Sequence, residues 1–269
     1  MVKKIITAID LFCGTGGLSL GLQRGGIKVV AGIDNAAACA YPYSHNIGAK
    51  FIERSVCDVT GEDLNRLWGR SEFRLLAGCA PCQPFSSQRR GTDTSHEKSW
   101  PLLNEFARLV QETLPDFITM ENVPRVQYSP IFDEYVSCLR QSGYCVTYRV
   151  LYGPDYGLPQ RRRRLVLLAA LNCQIEMPDP TVVANQYRTV YDAIHDLPPL
   201  KAGQRDRQDV LHFARNISSI NLKRAQASKP GGTWEDWPEE LRVPCQKRAS
   251  GKSFKSFFNY KSRYSSSSL

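Results

Sequence analysis

Three segments of this 269-residue chain carry side chains suited to covalent chemistry. Pro81-Cys-Gln-Pro-Phe-Ser86 places a thiol in a proline-bracketed loop. Glu121-Asn-Val123 supplies a carboxyl group, and Gln160-Arg-Arg-Arg-Arg164 supplies guanidiniums. If the last run is extended, alternate residues share a side, so Arg162 and Arg164 are expected to point together. A loop thiol near positive charge can ionise and act as a nucleophile. A thiol, a carboxyl group and two arginines suit attack on an electron-poor ring such as cytosine. Carbon 5 of that ring is a poor nucleophile, but a thiolate adding to carbon 6 makes carbon 5 enamine-like and able to take a methyl group. The addition needs positive character at ring nitrogen 3, which a protonated or proton-sharing glutamate supplies. Taken singly, each segment has a plainer reading: a buried thiol, a capping carboxylate and a solvated basic face. Their order at successive strand ends is what joins them.

A second group lies nearer the amino terminus. Asp10-Leu-Phe-Cys-Gly-Thr-Gly-Gly-Leu18 follows an apolar run. Its glycines allow a tight turn and close approach to a ligand. A dinucleotide fingerprint would put its third glycine at position 19, where the chain has Ser19; this counts against a nicotinamide-dinucleotide oxidoreductase. Asp34 lies twenty residues past Gly14, where an acid can accept from both hydroxyls of a ribose. Asp58, near the end of a third strand, could accept from an adenine amino group.

The elements that must hold these residues alternate. Strands are predicted at 5–9, 28–33, 50–56 (weak), 74–78, 116–120, 145–151 and 165–171. Helices are predicted at 18–24, 36–46, 102–112 and 132–141. This rhythm predicts an α/β, doubly wound, mostly parallel sheet, in which ligands sit beyond the carboxyl ends of the strands. After residue 172 the texture becomes irregular. Prolines 178, 180, 198 and 199 interrupt it, one helix is expected over 212–224, and 229–238 reads as a compact loop. Residues 247–269 are rich in Ser, Lys, Phe and Tyr and read as a low-complexity, mobile tail. The expected division is thus a catalytic and cofactor-binding core at 1–172, the start of a recognition region or linker at 173–246, and the tail at 247–269.

With 42% hydrophobic and 23% charged residues, the chain has the balance of a globular protein that can bury a core. A net charge of +9 suits an acidic partner such as nucleic acid. The nine cysteines are an odd number without framework spacing, which argues against a disulfide scaffold and fits a reducing cytoplasm. Cys79 and Cys82 form a CxxC, but no second pair completes a metal site. No signal peptide or membrane-spanning run is read.

The motifs together resemble the DNA cytosine-5 methyltransferases of bacteria. The match runs from about residue 5 to 171 through Asp10–Gly17, Pro81–Ser86, Glu121–Val123 and Gln160–Arg164. Further likeness lies in 188–199 and in Gly231-Gly-Thr-Trp-Glu-Asp-Trp-Pro238. The resemblance implies a Rossmann-like, S-adenosylmethionine-dependent fold that produces S-adenosylhomocysteine and uses no metal. It implies Cys82 as nucleophile, Glu121 as the group protonating ring nitrogen 3, Arg162 on the cytosine carbonyl and Arg164 supporting the site. It implies cofactor contacts from Phe12, Gly14, Thr15, Gly17, Asp34, Asn35, Asp58, Val59, Pro81 and Leu102, and a mobile loop over 87–100 that closes on DNA. The substrate would be double-stranded DNA with the target cytosine flipped out, in a bacterial restriction–modification system; an RNA cytosine methyltransferase would use the same core. The family's final signature, a Gly-Asn-hydrophobic segment, is not found between 171 and 269. A truncated or inactive remnant, one half of a two-subunit enzyme and a deliberately shortened chain are the readings of that difference. The expectation is weak cofactor affinity and little or no methylation by this chain alone.

Overall fold

The run Ile6–Leu11 forms strand β1, with Ala8 and Ile9 both fully buried. Side chains alternate across a strand, so these two neighbours serve opposite faces and the sheet must be covered on both. The computed structural model describes residues 4–81, 101–229 and 232–247. Within them the remaining strands are β2 (Lys28–Asp34), β3 (Lys50–Glu53), β4 (Phe73–Gly78), β5 (Phe117–Asn122), β6 (Tyr144–Tyr152) and β7 (Arg163–Leu171). Their order in the sheet is β3-β2-β1-β4-β5-β7-β6. The first five pair in parallel, while β7 runs antiparallel to both β5 and β6. The chain winds outward from β1 to β3, then returns to the other side of β1 at β4. That reversal opens a crevice beyond the ends of β1 and β4, where doubly wound sheets hold ligands.

Two helices, α1 (Gly17–Arg24) and α2 (Ala40–Ile47), cover one face. There Tyr43 and Ile47 pack with Ala8, Val29 and Leu75. The other face lies under α3 (Gly61–Trp68), α4 (Pro101–Thr113) and α5 (Pro130–Gln141). Leu64, Phe106, Phe132 and Tyr135 close over Ile9, Leu11, Ile33 and Ile118 there. Removing this apolar surface from water drives the assembly, at roughly 1.5–3 kcal/mol for each large side chain fully buried.

Several elements differ from the sequence reading. Strand β3 stops at Glu53, because Ser55 accepts the Cys57 N–H and starts a 3₁₀ turn over Val56–Asp58. The helix read at 36–46 is a 3₁₀ turn at Ala37–Cys39 followed by α2. The sequence reading assigns no element between 57 and 73, yet α3 lies there, opened by a reciprocal capping box between Thr60 and Asp63.

The described chain divides into two compact units. Unit 1 holds the sheet, through Tyr156 and again over Arg161–Ala184; unit 2 comprises Gly157–Gln160 and the chain from Asn185. Unit 2 contains α6 (Val190–Ile194), α7 (Ser219–Ala227) and a small core of Trp234, Trp237 and Leu241. Arg224 donates to the Leu241 carbonyl at 2.7 Å, and the Trp237 indole N–H donates to Ser228 Oγ at 2.9 Å. The helix expected over 212–224 begins only at Ser219. Before it, the Ala214 N–H donates to the Gln204 carbonyl and Arg205 bridges Phe213, so long-range pairing takes the backbone groups a helix would use. The tail from 248 onward lies outside the described residues. Among the described residues no helix is long and apolar enough to cross a membrane.

Candidate active site

Parallel pairing brings the ends of β1 to β5 to one edge of the sheet, and antiparallel β7 starts at that same edge. Glu121 stands near the end of β5. The burial pattern of this strand alternates, with Ile118, Met120 and Asn122 buried and Glu121 half-buried on the opposite side. From the start of β7, Arg164 Nε approaches Glu121 Oε1 at 2.7 Å, and Arg162 Nη2 lies 4.0 Å from the same oxygen. Residues two apart in an extended segment share a side, and here both guanidiniums converge on one carboxylate oxygen.

The next residue holds the adjoining loop. Asn122 is 4% exposed; its amide nitrogen donates to the Ala80 carbonyl at 3.2 Å, and its oxygen accepts the Val123 N–H at 2.9 Å. Ala80 and half-buried Pro81 lead directly into Cys82. Cys82 itself, and the 87–100 loop, lie outside the described residues. Cys79, the other half of the CxxC, sits beside Glu121. Burial, followed by the negative charges of Glu121 and Asp10, pushes its thiol well above the ordinary thiol range. That shift favours the neutral thiol of Cys79 over the thiolate that a nucleophile needs.

The glycine turn after β1 is the other half of the candidate site. Phe12 and Gly14 have positive φ, 56° and 50°. A Cβ on Gly14 would meet nothing within 4 Å, so it is the φ value that favours glycine there. The Gly14 N–H donates to Asp34 Oδ2 at 2.9 Å, and the Ala36 N–H donates to Oδ1 at 2.9 Å. Asp34 is thus fixed at the end of β2 by backbone donors from the turn and from the residues after it. A carboxylate offers about four acceptor positions, so two remain. Gly14 and Asp34, twenty residues apart in the chain, are thus in direct contact.

The other expected contacts fall on the same edge. Thr15 and Gly17 are exposed, Asn35 is exposed next to Asp34, Val59 is buried and Leu102 is half-buried near the start of α4. Asp58 is exposed on the 3₁₀ turn rather than at the end of β3. Arg108 of α4 grips this turn: its Nη2 donates to the Val59 carbonyl at 2.8 Å and the Val56 carbonyl at 3.4 Å. Glu112 of the same helix accepts the Gly61 N–H at 2.6 Å.

Three residues were not anticipated as parts of the site. Asn122 lies inside the Glu121–Val123 motif but has no role assigned from sequence, and Arg108 lies in no motif; both act through backbone carbonyls. Ser19 had a signal, since it replaces a glycine of the dinucleotide pattern; its hydroxyl donates to fully buried Asp10 at 2.6 Å. Among the described residues no group of three or more His, Cys, Asp or Glu side chains could hold a metal ion.

Residues 6–267 match the family model for C-5 cytosine-specific DNA methylases. The chain belongs to that family. It is 46% identical over 253 residues to the type II methylase M.HgiDII of Herpetosiphon aurantiacus, covering 93% of this chain and 71% of that one. It is 36% identical over 200 residues to the type II methyltransferase M.XorII of Xanthomonas oryzae pv. oryzae, covering 71% of this chain and 46% of the relative. With M.AquIA of a Picosynechococcus species the identity is 30% over 234 residues, covering 74% of this chain and 90% of the relative. Among solved structures, a putative DNA modification methyltransferase from an Escherichia coli prophage superposes with a TM-score of 0.63. It is 24% identical, with 81% of this chain and 63% of that one covered. That likeness places the sheet among the Rossmann-like methyltransferase folds.

Proposed function

We propose that this methylase transfers a methyl group from S-adenosylmethionine to carbon 5 of a cytosine in double-stranded DNA, as the modifying enzyme of a type II restriction–modification system. The observation that carries the reading is the convergence of Arg164 and Arg162 on Glu121, beside the loop base that Asn122 ties down.

The reaction assigns each group a task. A stacked base hides carbon 6, so the cytosine must leave the duplex to meet a thiol. The Cys82 thiolate forms a bond to carbon 6. Glu121 shares a proton with ring nitrogen 3, which draws the ring electrons away from carbon 6 as the sulfur adds. Carbon 5 gains the electron density of an enamine and takes the methyl group, with S-adenosylhomocysteine as the leaving group. Loss of the carbon 5 proton to a base then expels the thiolate, and ring nitrogen 3 returns its proton to Glu121. Arg164 would fix the orientation of Glu121, and half-exposed Arg162 would meet the cytosine carbonyl.

The residues at the glycine turn fit a nucleoside. Asp34 keeps two acceptor positions free of the backbone donors that anchor it, matching two ribose hydroxyls, and the turn at Gly14 leaves open space. When bound, S-adenosylmethionine supplies an electrophilic methyl on a positively charged sulfur. Phe12, Gly14, Thr15 and Gly17 would line its amino-acid and ribose portions. Asp34 and Asn35 would hold the ribose, Asp58 and Val59 the adenine, and Pro81 and Leu102 the walls.

The test is bisulfite sequencing of plasmid DNA after incubation with the protein and S-adenosylmethionine. Protected cytosines confined to one sequence context are expected, in place of the little or no methylation that the sequence alone suggests, because the family model matches residues 6–267. DNA left fully convertible, under conditions where the protein is folded, would contradict the reading.

A further inference from the structure

Asp10, Ser19 and Tyr43 form a sealed polar chain on the α1–α2 face of the sheet. All three are 0% exposed. Ser19 Oγ donates to Asp10 Oδ2 at 2.6 Å and lies 2.9 Å from the Tyr43 hydroxyl. Ser19 has one hydroxyl proton. With that proton on Asp10, the Tyr43 O–H must donate to Ser19, so the chain has a direction. The other carboxylate oxygen, Asp10 Oδ1, is buried with no hydrogen-bond partner. A buried polar group left so is costly, and such a cost at an otherwise apolar face calls for a function.

Its position supplies one. Asp10 lies near the end of β1 and Ser19 in the first turn of α1, so their bond closes the base of the glycine turn between them. Tyr43 sets the other side. A Cβ on Gly16, at φ 95°, would come within 2.6 Å of Ile47 and 3.2 Å of Tyr43. A Cβ on Gly32, two residues before Asp34, would come within 2.4 Å of the Tyr43 hydroxyl. The ring and hydroxyl of Tyr43 thus occupy the space that one glycine of the turn and one glycine of β2 leave open. The turn and the Asp34 strand are then joined above by the Gly14–Asp34 hydrogen bond.

We infer that Asp10, Ser19 and Tyr43 are positioning residues that register the glycine turn against the Asp34 strand for nucleoside binding. The inference rests on the proposed cofactor site. It differs from simple core filling in what it predicts for conservative changes. Tyr43→Phe keeps the ring and its packing and removes only the hydroxyl. Ser19→Ala removes the donor to Asp10, and Ser19→Cys replaces it with a weaker one.

The experiment measures S-adenosylhomocysteine affinity by calorimetry, amide exchange of residues 12–17 in the free protein, and the urea midpoint. Affinity should weaken roughly tenfold in Ser19→Ala and severalfold in Tyr43→Phe, with Ser19→Cys between, as expected for loss of one hydrogen bond in a charged chain. Exchange in the turn should rise while that of Phe117–Asn122 stays unchanged. Variants that lose stability but keep wild-type affinity and turn protection would overturn the inference. A wild-type protein that fails to bind S-adenosylhomocysteine would refute the cofactor site, and the exchange pattern alone would then decide whether these residues hold the turn.

Discussion

Substitution Asp10→Asn will flatten the pH dependence of folding stability above about pH 4. Burial, opposed by the Ser19 hydroxyl and N–H and reinforced by the charge of Asp34, raises the Asp10 carboxyl from 3.8 to about 6. The folded protein therefore holds this proton more tightly than the unfolded chain does. Between the two values the unfolded chain is ionised while the folded protein is not, so stability falls as pH rises. The stabilising contribution is complete below the unfolded value and is lost as pH passes through the folded one. A shift of about two units at about 1.4 kcal/mol each gives about 3 kcal/mol. Asp10 is fully buried, so solvent does little to reduce this figure. Asparagine keeps an oxygen to accept from Ser19 and puts an uncharged N–H₂ where the acid carries its proton, so it mimics the protonated form. Urea unfolding of both proteins from about pH 4 to pH 8 measures the effect. The variant should match the wild type at the acid end and exceed it by about 3 kcal/mol at the alkaline end. A difference that stays constant across the range would refute the account of Asp10.

Three further outcomes follow from other contacts. Glu121→Gln keeps the shape of the side chain, so methyl transfer should fall by about 10²–10⁴-fold. Stability should change by only about 1 kcal/mol, since both partners of the Arg164 pair are partly exposed; steady-state transfer of tritiated methyl groups and a urea midpoint separate the two. Gly32→Ala drives a Cβ into the Tyr43 ring and should cost about 3 kcal/mol. Adding Tyr43→Ala should recover part of that loss in a double-mutant cycle. Arg108→Ala frees the turn bearing Asp58 and should cost about 2 kcal/mol. It should weaken S-adenosylhomocysteine binding in calorimetry while leaving methyl transfer at saturating cofactor unchanged.

Much of the sheet was legible because its strands are runs of β-branched and apolar residues buried on both faces. Ile5–Ile9, Lys28–Ile33 and Leu165–Leu171 were read within two residues of their ends. The sequence reading of a mostly parallel sheet does not say which strand runs antiparallel, although the connection from Tyr152 to Arg163 contains no crossover helix, which a parallel return requires. Helix α3 was missed because its apolar face is short, with only Leu64 and Trp68 fully at the core; the Thr60–Asp63 capping pair was the available signal. The helix at 212–224 was misplaced because pairing with residues 203–205 is non-local. At the site, residue types and order along the chain pointed to Glu121, Arg162, Arg164, Gly14 and Asp34. The residues that hold them act through carbonyls or through space left by glycines, and these show no pattern until the chain is folded.

The proposed mechanism requires a bond from Cys82 to carbon 6. A duplex in which the target cytosine carries fluorine at carbon 5 blocks the last step, because fluorine cannot leave as a proton, and the sulfur stays bonded to carbon 6. Incubation of the protein with this duplex and S-adenosylmethionine, followed by digestion and mass spectrometry, should give a denaturant-resistant adduct mapped to the peptide bearing Cys82. Cys82→Ser should abolish it, while Cys79→Ser should still form it. An adduct on another residue, or one that forms equally well after Cys82→Ser, would contradict the mechanism.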